Sequence, residues 1–185
     1  MRLRTFAFIV LGLLAMESAW AGALDSVREH KVLRVAYRTD VPPFSSAKAG
    51  EAPTGFSIDL CRMVADHLAK QLELASLDVA FVQVDANDRL QAIVDGRADL
   101  ECGTTTVTFA RLEKVDFSVL FYITGTSLMT RSDSTVRSFD DLSGHKLAVT
   151  EGTTTDLVIT QRMRDHHVDV DVVRVANNKI GRAHV

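Results

Sequence analysis

Between Val32 and Cys102 short β-branched runs alternate with a helical repeat, and that alternation restricts the chain to few architectures. Val32 to Ala36 is an apolar run followed by Val41-Pro42-Pro43, where the prolines end any strand. From Ser57 to Leu72 the apolar residues Leu60, Cys61, Val64, Ala65, Leu68 and Leu72 fall at helical spacing, with Asp59, Arg62, Asp66 and Lys70 opposite them. The spacing predicts an amphipathic helix with Ser57 as its N-cap. Val79 to Val84 predicts a second strand, Asp88 to Val94 a short helix stopped by Gly96, and Ala98 to Cys102 a third strand. Strands separated by helices make a parallel sheet covered on both faces, so the expected class is α/β.

In such sheets ligands collect at the carboxyl ends of the strands, near a reversal of strand order. Arg38 follows the first strand, Arg89 lies in the connection after the second, and the run from Glu101 to Arg111 follows the third. All three arginines are therefore expected on one rim. Within that last run the hydroxyl residues Thr104 and Thr106 stand just before Arg111. A guanidinium grips both oxygens of a carboxylate in a planar fork, and hydroxyls with backbone N–H groups satisfy the remaining lone pairs. The same residues also suit a threonine-rich strand end beside a surface arginine, and the run alone does not choose. Three guanidiniums at close range repel unless solvent separates them, so their clustering argues for an anionic partner.

The pattern restarts further on. Phe121 to Thr130 is apolar and extended with Gly125 inside it, and a polar loop at Ser132 to Thr135 leads to Phe139. Lys146 to Val149 predicts a strand, Glu151 to Thr154 a turn, Thr155 to Arg164 a helix and Val168 to Val175 another strand. A Gly-Thr-Thr turn opening a helix presents free N–H groups and a positive dipole end to an anion, and equally serves as an ordinary N-cap. One strand, one helix and one strand cannot bury both faces of a sheet, so this second unit is expected to be partial. The closing Ile180 to Val185 resembles a translated sequencing adapter and is expected to be a non-native tail.

Met1 to Ala23 has the layout of a secretory signal: Arg2 and Arg4, an apolar run from Phe6 to Ala15, and Ala19-Trp20-Ala21 as a small-x-small cleavage site. That apolar run is shorter than the roughly twenty residues a membrane helix needs. A soluble exported protein is expected, with a first unit over residues 24–125 and a partial second one over 126–179. About 160 of the 185 residues remain after cleavage, enough for one ordinary domain or for one complete and one partial domain. A formal net charge of −3 without a basic run argues against nucleic acid as a partner. Cys61 and Cys102 could pair in an oxidising compartment, but their spacing does not determine it. No Cys-x-x-Cys or paired-His spacing offers a metal site, and no cofactor is called for. No carboxylate pair, Ser-His-Asp or Cys-His arrangement stands out as catalytic.

Gly55-Phe-Ser-Ile-Asp-Leu60, Asp95-Gly-Arg-Ala-Asp-Leu100, Glu101-Cys-Gly-Thr-Thr-Thr106, Arg111, Val115-Asp-Phe-Ser118 and Val149-Thr-Glu-Gly-Thr-Thr154 occur in order along the chain. Together, over about Leu24 to Ala176, the sequence resembles the periplasmic amino-acid-binding proteins of ABC transporters, and most of all their glutamate/aspartate-binding branch. The resemblance implies a type II periplasmic-binding-protein-like fold. Two α/β lobes joined by hinge strands would trap an amino acid and deliver it, as a monomer, to a membrane permease. It implies that Arg111 clamps the α-carboxylate with Thr104, Thr106 and the turn at Thr154, and that Arg38 and Arg89 serve an acidic side chain. Two departures touch specificity. Ala86 stands where the branch has a small hydroxyl residue, and Asn177 and Asn178 stand where it usually offers a histidine. The residue that would accept the ligand ammonium is expected beyond Val185.

Two rivals share the fold: an exported enzyme of the cyclohexadienyl dehydratase type, and the sensor domain of a signalling protein. The enzyme would need a catalytic carboxylate or histidine in the cleft, and the sensor a transmembrane helix after the domain. Fold alone does not separate them from a receptor.

Overall fold

The computed structural model describes residues 22–179. The expected signal segment, apart from its last two residues, and the expected tail lie outside the described residues. The first unit runs α1 (Ala23–His30), β1 (Val32–Tyr37), β2 (Asp40–Val41), β3 (Ser45–Ser46), α2 (Phe56–Gln71), β4 (Asp78–Gln83), α3 (Arg89–Val94), β5 (Leu100–Glu101) and α4 (Phe109–Leu112). A single 3-10 turn at Asp140–Leu142 leads to β6 (Lys146–Thr150), α5 (Thr154–His166) and β7 (Asp171–Val175).

The main sheet has the order β4-β1-β5, and both pairings are parallel. β1 is central, and its side chains divide between two cores by the period-2 rule. Leu33 and Val35 pack with Val27 of α1 and with Ile58 and Ala65 of α2, whereas Ala36 packs with Val84, Ala92 and Ala98 on the side of α3. Helices therefore cover both faces, as the alternation predicts. The strand order reverses beside β1, so the carboxyl ends of β1 and β5 flank the switch point that favours ligands.

The start of α2 differs from the sequence expectation. The N-cap is Gly55, and Ser57 lies inside the helix, where its hydroxyl donates to the Gly103 carbonyl at 2.8 Å. Gly55 has φ of 130°, and a Cβ there would stand 2.5 Å from the Phe44 carbonyl oxygen, so only glycine fits. The first N–H groups of α2 donate instead to the β2–β3 turn, Phe56 to Pro43 O at 2.9 Å and Ser57 to Phe44 O at 3.0 Å. Helical periodicity locates the body of a helix, but the backbone that satisfies its end here lies outside it.

Cys61 on α2 and Cys102 after β5 form a disulfide with Cα atoms 6.4 Å apart, clamping helix to sheet inside the larger core. Sequence spacing left that pairing open.

From Val115 to Arg131 no helix or strand is assigned, although Phe121 to Thr130 carries an extended apolar pattern. Among the described residues no strand lies beside it to complete a ladder, and Val119, Leu120, Ile123 and Met129 are exposed. Phe121 and Tyr122 are tied down by aromatic contacts, Tyr122 to Phe44 at 4.8 Å between ring centroids and Phe121 to Phe56 at 6.0 Å.

In the second unit β6 and β7 pair in parallel across α5, and Val136, Leu142, Val168 and Val170 make a small separate core. The last strand begins at Asp171, later than the expected Val168, because Val168 and Val170 turn into that core before the ladder starts.

Candidate functional site

The three rim arginines converge where the two units meet, and each is held differently. Arg38, just past β1, is 4% exposed. Its Nε and Nη2 donate to the two carboxylate oxygens of Asp40 at 3.0 and 2.7 Å, a bidentate pair. Ser45 fixes the backbone at this point, accepting from Arg38 N at 3.2 Å and donating to Arg38 O at 2.7 Å. Arg38 thus meets a carboxylate of its own chain, which the sequence reading did not anticipate.

Arg89 opens α3 and is also 4% exposed. Its Nε donates to the Thr105 hydroxyl at 2.6 Å, Nη1 donates to the Ala86 carbonyl, and Nη2 reaches the Gly152 carbonyl at 3.4 Å. Burial pushes its pKa down to about 10, against the attraction of Glu101 and with help from Arg111 and Arg38. It remains cationic at neutral pH.

Arg111 belongs to the short helix α4, whose N-cap Thr108 accepts from Arg111 N at 3.3 Å. Its Nη1 donates to the Thr106 carbonyl at 2.7 Å and its Nη2 to the same Gly152 oxygen at 3.4 Å. Burial lowers its pKa, opposed by Glu101. Charge-assisted bonds from guanidinium to carboxylate run at about 2.7–2.9 Å, so two contacts of 3.4 Å on one neutral carbonyl are weak ones.

Gly152 comes from the turn before α5. It has φ of 72°, and a Cβ there would strike the side chain of Asn87, which fixes how closely the units approach. Thr153 caps α5 by accepting from Asp156 N at 3.3 Å. The Thr154 hydroxyl lies 3.2 Å from that of Thr106 across the junction, while Thr104 is solvent-exposed. A third bridge runs from Asn178 N to Asp40 Oδ2 at 2.6 Å, so the carboxylate that holds Arg38 also holds the second unit.

The structure therefore brings together Arg38, Arg89, Arg111, Thr106 and Thr154 at one junction. Sequence reasoning missed Asp40, Asn87, Thr105 and Glu101. Glu101 ends β5 beneath the arginines, and its Oε1 is buried with no hydrogen-bond partner. Burial raises its pKa, while Arg89, the Thr105 hydroxyl, Arg38 and Arg111 act in the opposite sense. A signal was present in the sequence, since an acidic residue closing a buried parallel strand needs a counter-charge.

The raised pKa of Glu101 makes stability depend on pH. Folded Glu101 holds its proton more tightly than unfolded Glu101, so its contribution is complete below the ordinary carboxyl pKa and is lost as pH rises through the raised value. Urea unfolding of wild type and Glu101→Gln should differ least in acid, with the variant gaining relative stability toward neutral pH. A difference that stays constant with pH would show that Glu101 does not titrate in this way.

The profile of bacterial extracellular solute-binding proteins, family 3, matches residues 33–181. The chain belongs to that family. Among its relatives, the L-glutamate/L-aspartate-binding protein of Pseudomonas aeruginosa is 30% identical over 154 residues, covering 82% of this chain and 51% of the relative. The glutamate/aspartate import solute-binding protein of Salmonella typhimurium is 27% identical, covering 94% of this chain and 60% of the relative. Other solute-binding relatives are named for L-cystine and for glutamine. The chain spans roughly half to three-fifths of the length of the first of these relatives.

The fold is that of the type II periplasmic binding proteins. An ancestral amino-acid-binding protein, described as a precursor of cyclohexadienyl dehydratase, superposes with a TM-score of 0.72 at 28% identity, covering 85% of this chain and 66% of that one. Among the described residues of this solute-binding protein no helix is long and apolar enough to cross a membrane.

Proposed function

We propose that this chain is the ligand-binding part of an exported receptor that captures an amino acid for an ABC importer. The observation that carries the proposal is the convergence of Arg111 and Arg89 on one point at the junction of two α/β units, beside the opening turn of α5. Arg111 takes the α-carboxylate, because it is the least buried of the three guanidiniums and has only backbone carbonyls as partners. Thr104, Thr106 and Thr154 supply hydroxyls around it. Arg89, with Arg38 behind it, supplies the positive field for a second acidic group, which favours glutamate or aspartate and agrees with the names of the first relatives.

The same names favour a receptor over an enzyme, and the family's extracellular character supports export to the periplasm with residues 1–23 as the signal and 24–125 and 126–179 as the lobes. The working partners are a free amino acid and a membrane permease, met by the receptor as a monomer.

Calorimetric titration of the full-length protein with L-glutamate, L-aspartate, L-glutamine and L-arginine tests this reading. Saturable binding of the two dicarboxylates is expected. Binding of L-arginine alone would overturn the roles given to Arg38 and Arg89, and turnover of an added cyclic carboxylate would replace the receptor with an enzyme.

A further inference from the structure

The arginine cluster carries its own counter-charges, and their number limits what it accepts. Arg38 from the turn after β1, Arg89 from α3 and Arg111 from α4 supply three positive charges. Asp40 from β2 and Glu101 from β5 supply two negative ones when ionised, which leaves one positive charge over. The two carboxyl groups are not equivalent. Asp40 is saturated by the Arg38 fork and the Asn178 N–H. Glu101 has a buried oxygen without a partner, packs against Gly103 so closely that a Cβ there would strike it, and faces Arg89, Arg38, Arg111 and the Thr105 hydroxyl. From α2 the Ser57 hydroxyl, which is neutral, donates to Gly103 O.

One uncompensated positive charge matches one carboxylate. An amino acid with a neutral side chain brings that one, and its ammonium, counted apart, needs an acceptor of its own outside the arginine cluster. An acidic amino acid brings a second, which is matched only if one internal carboxylate is neutralised. Glu101 is the candidate, because a neutral carboxyl suits its site and a negative charge arriving beside Arg89 makes its ionised form still less favourable.

We propose that Glu101 is a proton-linked counter-ion that sets ligand charge: an acidic amino acid binds with uptake of one proton from solvent onto the Glu101 carboxylate, whereas a neutral one binds without it. This rests on the receptor reading above. Burial already moves the carboxyl in the required direction. Affinity for an acidic ligand should then rise as pH falls, by up to about tenfold per pH unit where Glu101 is ionised in the free protein. Affinity for a neutral ligand should stay level.

L-Glutamate and L-glutamine are the matched probes, alike in size and different in charge. Titrating the full-length protein with each, in buffers of low and high ionisation enthalpy, reads proton uptake directly. The expected result is uptake approaching one proton per bound glutamate, none for glutamine, and loss of both the uptake and the pH dependence in Glu101→Gln. Glutamate binding without proton uptake, and unchanged in its pH dependence in the variant, overturns the proposal and leaves the receptor reading intact. Should the variant fail to fold, carbon-13 carboxyl resonances of the wild type give an independent readout: the Glu101 midpoint must move up with glutamate and stay put with glutamine. A midpoint that ignores both ligands also overturns it. If no amino acid binds, the receptor reading falls first and this proposal with it.

Discussion

Replacing Arg111 by alanine in the full-length protein should weaken every amino acid it binds by about 2–5 kcal/mol, or roughly thirty-fold to several-thousand-fold, because the charge-assisted partner proposed for the shared α-carboxylate is lost. The fold should survive. Arg111 is only partly buried, and its guanidinium contacts are to the carbonyls of Thr106 and Gly152, which water can satisfy in its place. Arg38→Ala should behave differently, since it strips a buried carboxylate of its bidentate partner. Breaking a buried pair from one side costs about 3–5 kcal/mol of stability. Calorimetry and thermal melts on both variants separate the roles. Binding that persists within a few-fold in Arg111→Ala would make Arg111 a surface residue, and an unchanged melt for Arg38→Ala would mean that its pairing with Asp40 is dispensable.

Removing the disulfide should produce a loss of stability as large as that of Arg38→Ala. Cys61 and Cys102 are 41 residues apart in sequence, and closing a loop of that length in the unfolded chain corresponds to about 4 kcal/mol in the chain-entropy picture. The link joins α2 to the end of β5, one residue from Glu101 and two before Thr104, so its loss also loosens the support of the rim that carries the arginines. A Cys61→Ser/Cys102→Ser variant should unfold at markedly lower denaturant than the oxidised wild type, and wild type kept in reductant should match it. Equal midpoints for oxidised and reduced wild type would mean that the bridge contributes nothing.

Much of the fold was legible because burial imposes period. The apolar spacing from Leu60 to Leu72 marks α2, and the short apolar run with β-branched residues at Val32 to Ala36 marks the central strand. Termini were read less well, and Ser57 shows why. A serine ahead of an apolar repeat looks like a cap, yet the Pro43 and Phe44 carbonyls serve that helix end, and Gly55 alone allows the approach. The stretch Phe121 to Thr130 has strand-like character without a strand, since a ladder requires a neighbour as well as a suitable sequence.

At the site, sequence order placed Arg38, Arg89 and Arg111 at one rim, because residues that follow parallel strands share an edge of the sheet. Which of them is spent internally was not legible. Asp40 stands two residues from Arg38, but a neighbour in sequence becomes a bidentate partner only if the turn aims both side chains at each other. Glu101 stands in the motif that suggested a carboxylate clamp, and nothing in its position in the chain tells that its carboxyl is buried under three guanidiniums.

The order of strands and helices, the parallel sheet and the edge at which the arginines gather are written in the chain, because these follow from local periodicity and chain direction. The tertiary structure alone decided the charge balance of that edge. Electrostatic strength depends on distance through space and on exclusion of water, and both were set by packing Asp40, Glu101 and the Gly152 turn against arginines as far as 63 residues away along the chain.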